Sequence, residues 1–371
     1  MKLTDLFSAM RKYLKFYDRG ILKSGTLAVQ GKQVSLFMDT DKHTLLFISE
    51  LSASAGYEKR IDVTENNRTN LAEISSSSLK EYLETFGTDI PPEPCSLPCY
   101  STDNAFTVTG SRMHSLISEI LKIKDISENK FTEYLFIDSP NKDTHIRLQY
   151  CNSVSVAISD INANCKTGVN FAAIDVYSLE ILKSMIRKQA SYKISFDKSS
   201  IYCRSDKEAF CYQLKDDIAY TRYQSVIKLV ENIEQDTKGY SAMPVKFETM
   251  NIFMNICKST SKTSAYKEIS ERAVTLEPSE SYILASNQIG ERVELAEISK
   301  KGKEGKISSS SFDSRRLYHL LQFILSDLKA GSSYIKFMTN SYHSKYSVRL
   351  LKASVIGDQV TRTFYLAPII H

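Results

Sequence analysis

Ala173–Ile186 reads AIDVYSLEILKSMI and Ser308–Leu321 reads SSSSFDSRRLYHLL; an earlier stretch, Ser75–Gly87, reads SSSSLKEYLETFG. Each begins with small or polar residues that can cap a helix. Each then continues with apolar residues at three- and four-residue steps, as Leu79, Tyr82, Leu83 and Phe86 do. Similar helices spaced along one chain point to an internal repeat. The segments that follow agree. After the second copy come Tyr192–Phe196, Ile201–Cys203 and Phe210–Leu214; after the third come Tyr334–Phe337, Tyr346–Leu350 and Thr363–Leu366. They are short, alternating and separated by turns, which predicts strands in sheets that bury one face.

A second set of helices is expected ahead of these, over Leu3–Tyr17, Ser111–Lys124 and Lys246–Ser261. Leu6, Met10, Tyr13 and Tyr17 form one apolar stripe, Leu116, Ile120 and Ile123 another, and Met250, Phe253 and Ile256 a third. Each unit is then a helix, strands, a second helix and more strands, and three such units fit the 371 residues. Pro91, Pro92, Pro94 and Pro98 crowd Gly87–Asn104, which excludes a helix or central strand and marks the first boundary. The polar run Asn232–Ala242 marks the second, whereas Ser299–Gly305 (SKKGKEG) reads as a surface loop. The expected domains are residues 1–100, shortened because strands are missing after its second helix, 101–238 and 239–371.

Composition narrows the function. A chain with 42% hydrophobic and 25% charged residues has a globular balance. No apolar run reaches bilayer length, and Met1–Asp5 lacks the core of a secretion signal, so a cytoplasmic location and no membrane partner are expected. Of the seven cysteines only Cys95 and Cys99 lie close together, and no second Cys or His pair completes a metal site, so reduced, packed thiols are expected. The six histidines are isolated, Asp216-Asp217 reads as a solvated turn, and no glycine-rich phosphate loop occurs. No enzyme constellation and no cofactor is expected. The 21 tyrosines read as sheet residues before they read as a base-stacking platform.

Over most of its length, and most strongly from about Ala105 to the end, the chain resembles the bacterial-type sliding clamp, the beta subunit of the replicative polymerase. Helix Ser178–Ile186 and its strand pair are similar to that family's second domain, and Phe364–His371 (FYLAPIIH) to its closing strand. Ala219–Ile227 stands where the family has a Phe-Pro-Asp-Tyr-type segment, with Thr221 in place of the proline; Ala367 stands for a methionine before Pro368, and Ala157–Asp160 for an Ala-Thr-Asp-Gly segment. The resemblance implies an α+β clamp fold of three tandem domains, helices on antiparallel sheets, closing head to tail with a second copy into a ring. It implies double-stranded DNA bound without sequence preference, and a polymerase and clamp loader held through short peptide motifs. The departures and the net charge of +5 suggest a divergent member, from a phage or mobile element. A non-ring processivity or transcription accessory factor of the same fold is the competing expectation.

A clamp needs helices that face a duplex with Lys and Arg, which contact phosphates without reading bases. The candidates are Arg11, Lys12, Lys15 and Arg19; Arg112, Lys122 and Lys124; Lys183, Arg187 and Lys188; Lys246 and Lys258; and Arg315 and Arg316. The bland alternative is an ordinary solvated helix face. By position, the family's peptide pocket would use Ile158 and Asp160, Tyr223 and Val226 from the last strand of the middle unit, Asp313 and Arg316, Tyr346, and Tyr365, Leu366, Ala367, Pro368 and Ile369. The apolar tail supports a contact there on its own account, although it could also simply finish a core.

Overall fold

The computed structural model describes residues 8, 11, 14, 22–56, 58–75, 78–89, 105–124, 134–139, 145–151, 154–162, 171–197, 200–215, 218–236, 240–263, 270–279, 281–297, 309–326, 335–340, 351–356 and 360–369. Two compact bodies emerge. One comprises residues 1–121, 133–146 and 163–221, and the other residues 122–132, 147–162 and 222–371.

The first repeat opens, within its described part, on helical positions at Ser8, Arg11 and Leu14. A meander follows: β1 (Leu22–Gln30), β2 (Gln33–Thr40) and β3 (His43–Glu50). Burial alternates along β1 and β2, so Leu27, Val29, Val34, Leu36 and Met38 share the core face. The first turn is two residues long and places Gly31 at φ 56, a conformation that favours glycine. Next come β4 (Glu58–Asp62), α1 (Glu65–Glu73), α2 (Ser78–Phe86) and the two-residue β5 (Thr88–Asp89).

The middle repeat has β6 (Phe106–Thr109), α3 (Gly110–Lys124), β7 (Tyr134–Asp138), β8 (His145–Cys151), β9 (Ser155–Asn162), β10 (Ala172–Asp175), α4 (Val176–Met185), β11 (Ser191–Asp197), β12 (Ser200–Arg204), β13 (Glu208–Leu214) and α5 (Ile218–Asp236). The last repeat has β14 (Tyr240–Val245), α6 (Phe247–Lys262), β15 (Ala273–Pro278), β16 (Tyr282–Asn287), β17 (Arg292–Glu297), β18 (Ser310–Asp313), α7 (Ser314–Leu325), β19 (Ile335–Asn340), β20 (Leu351–Ile356) and β21 (Val360–Leu366).

Strand pairing repeats with the sequence. β4 returns to β1, β10 to β7 and β18 to β15, always antiparallel. The strand before the first helix pairs with the first strand after the second helix, β6 with β11 and β14 with β19. Two joints then cross repeat boundaries. In the first body β3 pairs with β13 from His43↔Leu214 to Ser49↔Glu208. In the second, β9 pairs with β21 from Val360↔Ile161 to Leu366↔Ser155. The same rule holds at both: the third strand after one repeat's first helix pairs with the last strand of the next repeat.

This topology corrects the alignment of the first repeat. β4 occupies the place of β10 and β18, and Asp62 ends it as Asp175 and Asp313 end theirs. The helix that follows is α1, not α2. Its apolar pattern is sparse, with only Leu71 and Ala72 buried among its described side chains, so periodicity did not expose it. The middle segment Ala219–Ile227 is a second correction. It is helical rather than extended, and Ala219, Tyr223, Val226 and Val230 bury one face at steps of four, three and four. The expected strand Tyr346–Leu350, the proline-rich boundary, Ser299–Gly305, Asp216-Asp217 and most of Leu3–Tyr17 lie outside the described residues.

The helices start where local chemistry allows. Asp175 accepts from the backbone N–H groups of Tyr177 and Ser178, each at 2.9 Å, and Asp313 accepts from those of Arg315 and Arg316. Cys151, Cys203, Cys211 and Cys257 are free thiols, and burial pushes the Cys151 thiol up to about 12, as expected of an inert packed group. Tyr150, Tyr192, Tyr212 and Tyr365 are fully buried, so these tyrosines belong to the sheets' cores. Gly110 ties the middle repeat together: its N–H donates to the Ala190 carbonyl at 2.8 Å, and a Cβ there would lie 2.0 Å from the Arg187 carbonyl oxygen. Gly110→Ala is expected to lower stability by about 2–4 kcal/mol, because the clash is with backbone that cannot rotate away. Urea unfolding checks this, and a variant within 0.5 kcal/mol of wild type (roughly the scatter of neutral surface changes) would contradict the packing.

Candidate nucleic-acid and partner interface

The middle repeat's two helices carry a basic surface. His114 on α3 is held below its ordinary pKa first by burial and then by the charges of Lys188 and Lys183 at the end of α4. Those two lysines are thus near enough to α3 for their charge to act on it. Lys188 is exposed, Lys183 half-buried. In the last repeat α6 and α7 pack side by side. Lys246 caps α6, Lys258 projects from its exposed stripe, and Arg315 projects from the first turn of α7. Helix α7 contains two arginines and no acidic residue.

Other candidates are committed elsewhere. The Arg11 Nε donates to the Ala72 carbonyl at 3.2 Å. Arg187 forms a 2.5 Å ion pair with Glu208 and donates to the Glu50 carbonyl, so it joins α4 to β13 and β3 rather than facing a ligand as the sequence suggested. Arg316 lies 3.7 Å from Asp313, whose other neighbour is Arg272 at 3.3 Å. Arg112, Lys122 and Lys124 are half-buried with partners inside the fold, and the last two sit where the helix C-terminus favours cations anyway. Lys12, Lys15 and Arg19 lie outside the described residues.

The carried-over pocket divides along the period-two rule. Ile158 and Asp160 on β9 share a face with Tyr365 on β21, because Ile158 opposes Thr363 and Tyr365 opposes Val156. Leu366 points to the opposite face, with Phe364 and Arg362; there Arg362 donates to the Phe323 carbonyl on α7 and stacks 5.1 Å over its ring. Leu366 thus serves the core. Asp160 is held by Arg147 through two contacts of 2.7 and 3.1 Å. The tail is docked rather than loose: the Ala367 N–H donates to Val154 and the Ile369 N–H to Ser311, both at 2.8 Å. Ala367, Pro368 and Ile369 remain half-exposed beside β9 and β18. Tyr223 and Val226 are buried on α5, not on a strand, and Tyr346 is outside the described residues.

No family model matches the chain, and no curated protein matches its sequence. Solved structures do. The DNA polymerase III beta sliding clamp of Bartonella birtlesii, bound to griselimycin, is 14% identical at a TM-score of 0.59, with 100% of this chain and 98% of that chain covered. The beta subunit of Thermotoga maritima is 12% identical at 0.59, covering 100% and 97%, and that of Streptococcus pyogenes 14% at 0.57, covering 100% and 99%. This chain has the sliding-clamp fold. The α+β reading and the threefold repeat follow from that fold over the full length. Identity this low explains why only patterning, and no residue motif, survives in the clamp-fold sequence. Among the described residues no group of side chains could hold a metal, and no helix is long and apolar enough to cross a membrane.

One buried network missed by the sequence reading holds the middle repeat. The Tyr192 hydroxyl donates to Glu208 Oε2 and accepts from the Arg187 N–H at 2.7 Å. Burial first, and then the bond to Glu208, raise the Tyr192 pKa well above its ordinary 10.0. Its stabilising contribution is therefore complete below pH 10 and is lost as pH rises through the higher folded value. Tyr192→Phe should cost about 1–3 kcal/mol near neutrality, by leaving Glu208 short of a partner. The gap to wild type should narrow above pH 10 in urea titrations; a gap that widens would contradict the sign.

Proposed function

We propose that this protein is a DNA sliding clamp, a non-enzymatic processivity factor that encircles duplex DNA and tethers a polymerase. The strand-pairing rule carries the reading. Each joint takes the third strand of one repeat to the last strand of the next, as β3 takes β13 and β9 takes β21. By that rule β17 awaits the last strand of a first repeat, and among the described residues β17 is an edge of its four-stranded sheet. A second copy would have to supply such a strand from its first repeat, head to tail, and two chains of three repeats would then close a ring. The domains 1–100, 101–238 and 239–371 are its segments. A cytoplasmic location accords with this role, while a phage or mobile-element origin rests on the sequence departures alone.

Lys183, Lys188, Lys246, Lys258 and Arg315 supply the phosphate contacts in this reading. Contacts of that kind are sequence-independent and weaken with salt. Polymerase and loader peptides would dock against the half-exposed Ala367–Ile369 tail beside Asp160, with the buried Ile158 and Tyr365 supporting that edge from beneath, gaining backbone bonds from the extended segment and specificity from its apolar anchors. The competing reading, an open accessory factor of the same fold, draws on the first repeat, whose described residues after α2 hold only the two-residue β5.

Light scattering should give twice the 42.1 kDa chain mass at micromolar concentration. The protein should be retained on nicked circular DNA and lost on linearisation. Changing Lys188, Lys246, Lys258 and Arg315 together to Glu should abolish retention without unfolding. A monomer, or equal retention on linear DNA, favours the open factor. Deleting Pro368–His371 should remove polymerase stimulation and leave the ring; if the truncated chain unfolds, the tail is core and not a docking edge.

A further inference from the structure

We propose that a cleft at the end of β11 and β12 binds consecutive phosphates of a single nucleic-acid strand, apart from the duplex-facing helices. The proposal rests on the reading that this protein works on DNA.

The cleft holds about 660 Å³ and lies wholly within the first body. Lys193 on β11 and Arg204 on β12 stand directly opposite one another across its floor, and Thr107 on β6 opposes Lys193 from the other side. Both cations are exposed, and among the described residues neither makes an ion pair. Like charges directly opposed on neighbouring strands destabilise a sheet. An anion seated between them removes that cost. The nearby charges do not. Arg187 in the wall is already neutralised by Glu208, Lys207 reaches Glu50 only at 3.9 Å, and Asp206, exposed at the rim, is the one acid of the lining.

The remaining lining identifies the anion. Ser191, Thr107 and Gln189 add neutral donors, and among the described residues no aromatic side chain lines the cleft. Arginine, lysine, hydroxyls and an amide are the groups that hold phosphates without reading bases. A strand recognised through its bases would need stacking surfaces, and an acidic peptide would need apolar anchors; Ala190 is the only apolar side chain of the lining. A sugar-phosphate backbone needs neither, and a volume of about 660 Å³ is that of a small-ligand cleft, far short of the bulk of a duplex.

The test uses full-length protein, a short fluorescent oligothymidine and the double variant Lys193→Gln/Arg204→Gln. Anisotropy should show at least tenfold weaker binding by the variant, and a log-affinity slope against log-salt shallower by about 1.4, for two lost phosphate contacts at roughly 0.7 each. The unliganded variant should melt no lower than wild type, because the opposed charges are gone. Unchanged oligothymidine affinity overturns the proposal, as does a variant that melts markedly lower. Inorganic tripolyphosphate that displaces the strand at lower concentration than unlabelled oligothymidine would overturn the strand as ligand in favour of free polyphosphate. Binding of oligoglutamate in place of oligothymidine would overturn it in favour of an acidic protein. The triple variant Lys246→Glu/Lys258→Glu/Arg315→Glu, which leaves Lys188 beside Arg187 and Gln189 intact, should keep its oligothymidine affinity, and a matching loss would overturn the cleft as the strand's site. If wild type shows no circle-specific retention yet binds oligothymidine through Lys193 and Arg204, the ring fails and the cleft stands; the reverse pattern sinks the cleft alone.

Discussion

Main-chain pairing across repeat boundaries is the constraint on which the rest of this structure depends. An open sheet edge presents a row of unsatisfied N–H and C=O groups and invites association. Here the β3 edge is closed by β13 and the β9 edge by β21, seven residue pairs at each joint. Register is fixed by what the joint buries: Phe47 and Phe210 lie directly opposite one another in the core, and a slip of one residue at the first joint would part them. Side chains reinforce the first joint. Lys215, just past β13, donates to Asp39 on β2 and to the Thr40 carbonyl at 3.0 Å, and it holds the Asp39 carboxyl below the usual range. The joints use backbone, which every sequence possesses, so the architecture survives where side-chain identity has drifted to 12–14%.

Around those joints each repeat solves the same local problem twice over. A short strand ends in an aspartate, and in the middle and last repeats that carboxylate satisfies the first free N–H groups of the next helix. The first repeat keeps the aspartate, Asp62, but shifts the cap to Thr64, whose capping box involves Asn67. It then inserts α2 where the other repeats return directly to strands. The repeat most altered in local structure is thus the one whose second sheet is least developed among the described residues.

Charge is sorted by what the fold leaves over. Arg187, Arg316 and Arg362 are spent on carboxylates and carbonyls within the structure, because their guanidinium forks suit fixed polar partners. Among the described residues most of the exposed cations are lysines, Lys188, Lys193, Lys246 and Lys258 included, with Arg204, Arg292 and Arg315 the arginine exceptions. Flexible ammonium groups would suit the proposed sliding contact, in which no single geometry must be held.

The sequence by itself determined the repeat, the helix at each of Ser111–Lys124, Ser178–Ile186 and Lys246–Ser261, and the alternating strands after α4. These signals are local: a period of 3.6 or 2 and a capping residue suffice to state them. Even the helical stripe Ala219, Tyr223, Val226 and Val230 was legible, and the family resemblance drew attention away from it. Only the tertiary structure decided which strands meet, that α1 rather than α2 is the topological counterpart of α4 and α7, and that Leu366 turns inward while Tyr365 shares the face of Ile158. It also decided which cations are free. Arg187 and Lys188 are neighbours in sequence and look alike there, yet one is locked to Glu208, 21 residues away along the chain, and the other is not. Partners so distant in sequence leave no periodic trace, so a residue's availability is a property of the assembled fold and not of its spacing.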